Sequence, residues 1–492
     1  MTEIQGEVQG ASEIKGGVKV PSKETRFEVV GKIGEFEITQ NPDAQNEAFR
    51  LRTQMLEAFA KHTGLNSQEL VEKMRDNPAS ADPMMTYEEF AFLRQINKFP
   101  DVIAASVWDF NGCLSENRDG FSSTQTFHPA LKEAVKKQQD RLGSFVIATA
   151  LTTEQMVYHV AKEEDIVGNI LLSCENGRAW AIPIKEGDKT IFVEYRQTLE
   201  PEQKKALGSV KEISGRLAKL LRENGKIAFV NDQKYSKCTI ECATNGRDWY
   251  NKTIKELVLP FLKKNGAGWD GESNVFSIDG QLFSISPTPD TWEIDPVEGT
   301  DRIGKRFIRE GVYNTLVDII HDKKGSARFK MITGGDSVRF GGSDAGLTDS
   351  NVATVPFWVP SSERKVEDSL KTVEEGMMLG RKYWPSYIED GEKARLAGPG
   401  VAPAFFMDAV GKMLPHLKIP TEVFSAALIK RLTGVYGFRE YKRYDLSQPA
   451  NLYVFPSDMT EEQKEMFLKS KSDIPADDQE KVLASLKIQA GV

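Results

Sequence analysis

From residue 101 onward the sequence alternates short, wholly apolar segments with amphipathic ones, and this alternation restricts the possible folds more than any other feature of the chain. VIAASVW (102–108), SFVIAT (144–149) and VGNILLSC (167–174) carry apolar residues almost without interruption, whereas HPALKEAVKKQQD (128–140) and TTEQMVYHVAKE (152–163) space them as a helix does. A strand with no polar face must be covered on both sides, and helices between such strands supply the cover. The expected fold is α/β, a Rossmann-like doubly wound parallel sheet. Ligands in such sheets bind beyond the carboxyl ends of the strands, so polar residues there are the candidates for chemistry.

The pattern changes between 180 and 290. TIFVEYR, KIAFVND, SKCTIECA and QLFSISPT alternate like half-exposed antiparallel strands, with helices expected at 201–223 and 250–264. This segment reads as an inserted α+β domain that separates a first core part (101–179) from a second (291–360). In the second part GKRFIREGVYNTLVDIIH (304–321) is a helix, and FKMIT (329–333) and ATVPFWV (353–359) are strands. Residues 1–25 lack periodicity and are expected to be a flexible tail. Residues 26–100 are read as an accessory unit, with a hairpin over 26–39 and helices at 43–61, 66–76 and 86–98, the last opened by the capping-box pair Thr86 and Glu89. The stretch 361–492 is expected to be a mostly helical extension.

Charge narrows the function. The chain of 492 residues has 64 Lys and Arg against 72 Asp and Glu, a formal net charge of −8, with no long basic block. That balance argues against coating a nucleic acid, which needs a concentrated cationic footprint. A small partner is expected instead. No apolar run approaches the ~18 residues of a membrane span, and the opening MTEIQGEVQG has no signal-peptide pattern, so a cytoplasmic protein is expected. The four cysteines (Cys113, Cys174, Cys238, Cys242) are too few for a disulfide framework and lack zinc-site spacing. Cys238 and Cys242 share a strand face and are read as packing residues.

Four strand or helix ends carry candidate chemistry. The first strand runs into VWDFNGCL, placing Asp109 at its tip and Asn111 two residues on. A carboxylate there suits a nucleophile or a hard-cation ligand, and equally an Asp that caps the following turn. The second strand ends at Thr149, which could bind a ligand or simply close the strand. Lys305 opens a periodic helix, where the macrodipole disfavours a cation unless an anion balances it; a solvent-facing lysine is the plainer reading. MITGGDSVRFGGSDAGL takes a strand into a glycine-rich loop with Asp336 and Asp344, two acids suited to a divalent cation or to a simple turn. His128 and His159 are read as cap or packing residues.

Taken in order, VWDFNGC, VIAT, GKRF and GGDSVRFGGSD resemble the four motifs of the haloacid dehalogenase superfamily of phosphotransferases. The resemblance covers 101–360. LLSCENGRAW (171–180) and NDQKYSKCTIECA are similar to the subgroup with a large α/β cap, which includes trehalose-phosphate and sucrose-phosphate phosphatases and phosphomannomutase. The resemblance implies a Mg²⁺-dependent phosphatase acting on a small phosphorylated substrate, a sugar phosphate above all. It implies Asp109 as nucleophile, Thr149 and Lys305 as phosphoryl ligands, and Asp109, the Asn111 carbonyl, Asp336 and Asp344 around the metal. Arg302 is a rival to Lys305; Ile308 and Val312, following at helical spacing, favour the lysine. Lys234, Lys237 and Arg247 of the cap are candidate substrate contacts, or solvated charges.

The sequence departs from the family at Asn111, where its phosphatases carry an Asp that protonates the leaving oxygen and later activates water. An amide does neither, and loss of a general acid/base typically costs ~10²–10⁴-fold in rate. A second reading follows: a catalytically weakened relative that binds a phosphorylated metabolite or a protein partner.

Overall fold

In the computed structural model of the chain the apolar segments form buried strands. The structure describes residues 26–44, 46–47, 102–115, 127–242, 247–287, 291–297, 304–321, 329–338, 344–348, 354–359, 387–390, 393–396, 398–448, 450–468, 483–484 and 486–492. The expected tail at 1–25, nearly all of the helix at 43–61, the helices at 66–76 and 86–98 with their capping box, and Arg302 lie outside these residues.

In chain order the elements begin with β1 (Glu28–Ile33), β2 (Phe36–Gln40), β3 (Val102–Asp109), α1 (Pro129–Leu142), β4 (Phe145–Ala148), α2 (Thr153–Val160), β5 (Ile170–Cys174), β6 (Ala179–Glu186) and β7 (Lys189–Gln197). Next come α3 (Pro201–Glu223), β8 (Ala228–Val230), β9 (Cys238–Cys242), α4 (Arg247–Thr253), α5 (Leu259–Lys264), β10 (Val275–Ile278), β11 (Gln281–Pro287) and β12 (Thr291–Pro296). The remainder comprises α6 (Lys305–His321), β13 (Phe329–Gly335), β14 (Thr354–Trp358), β15 (Tyr387–Asp390), β16 (Lys393–Leu396), α7 (Val401–Met413), β17 (His416–Leu417), α8 (Thr421–Gly434), β18 (Phe438–Asp445) and α9 (Glu461–Leu468). No helix among the described residues is long and apolar enough to cross a membrane.

These elements fall into two compact units. The first holds residues 1–115, 127–146 and 309–427; the second holds 116–126, 147–308 and 428–492.

In the first unit β3, β13 and β14 are parallel neighbours, with Gly334 of β13 opposite Trp108 of β3 and Gly335 opposite Trp358 of β14. Every residue of β3 is buried, as a strand covered on both faces requires. β17 adds on the other side of β3 and pairs antiparallel with β2 of the β1–β2 hairpin, which turns at Gly34 (φ +59°). The helix α7 is buried almost throughout and packs on α1. Where the two meet, a Cβ on Gly411 would lie 1.6 Å from the Arg141 guanidinium, so glycine leaves room for the arginine.

In the second unit β5, β6, β7 and β18 form consecutive antiparallel pairs. β6 and β7 make one hairpin on β5, and a separate sheet follows. That sheet is five-stranded and antiparallel, ordered β10-β11-β12-β9-β8. Its core joins Val210, Ile213 and Leu217 of α3 to Ile240, Trp292 and Ile294 of the sheet, and takes in Cys238 and Cys242 as expected. Burial raises the Cys238 thiol to about 11, which keeps it a protonated packing group.

Among its described residues the stretch 361–492 carries the helices α7, α8 and α9, and it also contributes strands. It supplies β17 to the first unit and β18 to the second. β18 is anchored where Tyr444 Oη donates to buried Glu194 of β7 at 3.0 Å; Thr153 Oγ1 and Arg196 Nε donate to the same carboxylate, each at 2.8 Å. Leu483, Leu486 and Ala490 enter the core of the inserted sheet. On its other face Phe229 of β8 meets Tyr453, Phe455 and Phe467 with ring centroids 5.0–5.9 Å apart.

Candidate active site

The parallel register of β3 and β13 delivers two acids to one edge of the first unit. Asp109 closes β3 and is 4% exposed; Asp336 follows β13 directly and is half-buried. Asp344, fully buried, turns back on them: its Oδ2 accepts the N–H of Asp336 at 3.0 Å and of Ser337 at 2.9 Å. Carboxylate oxygens of all three lie within 4.8 Å of one another.

The two glycines before Asp336 make this approach possible. A Cβ on Gly335 would sit 2.5 Å from Asp344 Cβ, and one on Gly334 would sit 2.2 Å from the Trp108 ring. That ring is fixed in turn, donating Nε1–H to Ser106 Oγ at 2.6 Å and stacking on Phe357.

The loop after Asp109 folds back on itself. Gly112 takes φ +74° and donates to the Ser115 carbonyl at 2.9 Å, while the Phe110 carbonyl accepts Ser115 N–H at 2.9 Å. Phe110, Cys113, Leu114 and Ser115 are buried, leaving Asn111 as the half-buried side chain of this turn. Cys113 accepts the Gly400 N–H on its carbonyl at 2.8 Å, which ties the turn to the start of α7. His128 is an N-cap as expected, its Nδ1 accepting Ala130 N–H at 3.3 Å, and His159 packs edge-on against Tyr158.

Three carboxylates this close repel one another by on the order of 3 kcal/mol per pair at an effective dielectric constant of 20. A hard divalent cation relieves that repulsion, and an all-oxygen donor set is what Mg²⁺ takes. Asp109, Asp336 and Asp344 therefore fit such an ion, with Asp344 also bracing the loop that carries Asp336.

Thr149 and Lys305 belong to the second unit, where backbone bonds link their neighbourhoods. Thr149 is fully buried, and its Oγ1 accepts Leu151 N–H at 3.1 Å. Its carbonyl accepts Asn176 N–H at 2.9 Å, and the Asn176 carbonyl accepts Gly304 N–H at 3.0 Å, one residue before Lys305. Lys305 opens α6 as expected and is 6% exposed, so it is not a solvent-facing lysine. Glu175, Asn176 and Gly177 all have positive φ, and a Cβ on Gly177 would meet Ile308 of α6 at 3.0 Å.

Lys234 and Lys237 are buried rather than solvated. Both reach Glu293 of β12, at 3.3 and 2.8 Å. Burial opposes charge on Glu293, but Lys237 and Lys234 outweigh it and hold the carboxyl down at about 2. Burial likewise opposes charge on Lys237, and Asp295 and Glu293 reverse that, holding it above the usual lysine value. Arg247 begins α4; its side chain lies outside the described residues. Sequence reasoning missed Glu175, buried at the end of β5, and Glu293: each takes its meaning from partners about 60 residues away.

No protein-family model matches the chain, and no curated protein matches it. Among solved structures it is similar to trehalose-6-phosphate phosphatase from Aspergillus fumigatus, at 12% identity over 58% of this chain and 95% of that one, with a TM-score of 0.30. It is similar to a haloacid dehalogenase-like hydrolase from Bacteroides thetaiotaomicron, at 15% identity over 58% and 93%, with a TM-score of 0.30. It is also similar to the C-terminal domain of trehalose-6-phosphate phosphatase from C. albicans, at 13% identity over 61% and 98%, with a TM-score of 0.34.

Proposed function

We propose that this chain is a Mg²⁺-dependent phosphatase of the haloacid dehalogenase type that hydrolyses a phosphomonoester, a sugar phosphate by class. The observation that carries the reading is the meeting of Asp109 and Asp336, at the ends of adjacent parallel strands, with Asp344 eight residues further on.

In this reading an Asp109 oxygen attacks phosphorus, the bond from phosphorus to the sugar oxygen breaks, and an aspartyl phosphate forms; water then hydrolyses it and regenerates the carboxylate. Mg²⁺, held by Asp109, the Asn111 carbonyl and Asp336 with Asp344 alongside, would supply charge neutralisation between nucleophile and phosphate. Thr149 and Lys305 would bind the phosphoryl oxygens, and Lys234, Lys237 and Arg247 would face the sugar. The leaving alkoxide takes its proton from water, since the Asn111 amide has none to give at neutral pH.

Asn111 supports a second reading, in which the chain binds a phosphorylated metabolite or a protein partner with little turnover. A phosphate-release screen of sugar phosphates with Mg²⁺ separates the two. Release that disappears in Asp109→Ala supports the phosphatase; no release from any substrate, with tight binding retained, supports the second reading.

A further inference from the structure

Glu175 has no part in the mechanism above, yet it is 2% exposed and holds a left-handed backbone (φ +48°), followed by Asn176 at φ +56°. Each such non-glycine residue costs on the order of 1 kcal/mol or more and persists where its surroundings over-determine it. Here the surroundings are the loop before β9. Glu175 Oε1 accepts Tyr235 N–H at 3.3 Å; Oε2 accepts Ser236 N–H at 3.1 Å and Ser236 Oγ–H at 2.6 Å. Arg178 seconds the grip: its Nη1 donates to the Ser236 carbonyl at 2.6 Å, and its own carbonyl accepts the Tyr235 hydroxyl.

The backbone of the same turn points the other way. Glu175 N–H donates to the Leu151 carbonyl at 2.9 Å, Asn176 N–H to the Thr149 carbonyl at 2.9 Å, and the Asn176 carbonyl accepts Gly304 N–H at 3.0 Å. One short turn is thus bonded by its main chain to the segments bearing Thr149 and Lys305, and by one side chain to the loop flanked by Lys234 and Lys237.

We propose that Glu175 is a positioning residue that sets specificity: it fixes the Lys234–Glu293–Lys237 cluster relative to Thr149 and Lys305, and so selects phosphomonoesters whose alcohol part is polyhydroxylated. This rests on the phosphatase reading. An aryl phosphate without hydroxyl groups has nothing for the cluster to bind and does not feel the residue.

The test compares wild type, Glu175→Ala and Glu175→Gln as full chains, with glucose 6-phosphate and p-nitrophenyl phosphate as probes and hydrogen exchange as a readout without substrate. In Glu175→Ala, KM for the sugar phosphate rises about tenfold or more, the scale of losing hydrogen bonds to a charged acceptor, while kcat/KM for the aryl phosphate stays within about threefold. Glu175→Gln, which keeps one acceptor oxygen, falls between. Tyr235 and Ser236 amides exchange about tenfold faster in Glu175→Ala, and the Asn176 and Gly304 amides do not change. Equal losses on both probes, or unchanged exchange at 235 and 236, overturn the proposal. If wild type turns over neither these probes nor any sugar phosphate of the screen, the phosphatase reading fails, and exchange alone decides whether Glu175 anchors the loop. Should Glu175→Ala not fold, Ser236→Ala removes the 2.6 Å contact and is held to the same outcomes.

Discussion

The carboxylate of Asp344 accepts the backbone N–H of Asp336 at 3.0 Å, so the second acid of the glycine loop fixes the first. Asp344→Ala should therefore weaken Mg²⁺ binding by about 10- to 100-fold, the usual cost of losing a group that orients a metal ligand. Isothermal titration with Mg²⁺ measures this, and Asp336→Ala should remove the heat altogether. An unchanged affinity in both variants would show that the ion does not bind here.

Crowding around the same loop makes a stability prediction. Gly334→Ala and Gly335→Ala place a methyl 2.2 Å from the Trp108 ring and 2.5 Å from Asp344 Cβ, and each should cost about 1–3 kcal/mol in urea unfolding. Gly208→Ala on α3 meets nothing within 4 Å and should stabilise by about 0.5–1 kcal/mol. Equal effects at the three positions would refute the packing argument.

Removing the charge shared by Lys234 and Lys237 leaves both ammonium groups buried without it. Glu293→Gln should lower stability by about 3–5 kcal/mol, the scale for breaking a buried ion pair from one side. Because the folded carboxyl is held at about 2 against an ordinary 4.5, its contribution is complete above pH 4.5 and fades as pH falls through 2. The difference between wild type and variant should shrink accordingly below pH 4.5, as read by thermal unfolding; a constant difference contradicts it.

His416 is fully buried, and burial, with Arg141 nearby, lowers it from 6.5 to about 3. The folded state holds the neutral ring while the unfolded chain takes up a proton below pH 6.5. Stability from this site is complete above pH 6.5 and is lost as pH falls towards 3, by roughly 1.4 kcal/mol per pH unit at most. Urea unfolding at pH 7.5 and 5.5 should show a smaller loss in His416→Phe than in wild type.

Asn111 is the half-buried side chain of its turn, so Asn111→Asp should place a carboxyl there without repacking. Phosphate release from an alkyl phosphate should rise by about 10²–10⁴-fold, with a bell-shaped pH profile that wild type lacks. A rate no higher than wild type would mean that position 111 does not face the leaving group.

What the sequence exposed was whatever burial writes into consecutive residues. VIAASVW, SFVIAT and FKMIT had to be covered strands, and their tips singled out Asp109 and Asp336; the glycine pair before Asp336 is explained by the close approach of Trp108 and Asp344. What stayed hidden depends on partners distant in the chain. FREYKRYD of β18 is an edge strand with most of its residues exposed and shows no apolar alternation, and its partner β7 lies far upstream. ENG at 175–177 reads as a turn, and nothing adjacent indicates that the glutamate holds Ser236, 61 positions on. The pairing of Lys234 and Lys237 with Glu293 was invisible for the same reason.

Leu483, Leu486 and Ala490 lie in one core with Val210, Ile240 and Trp292. On the ribosome this has a kinetic meaning. All five strands of the inserted sheet leave the exit tunnel well before those three residues are made, so the sheet spends most of its synthesis with part of its apolar face uncovered. The sheet can pair early but finishes burying that face only when the residues near 490 arrive, and a chaperone that binds apolar surface has that interval in which to act.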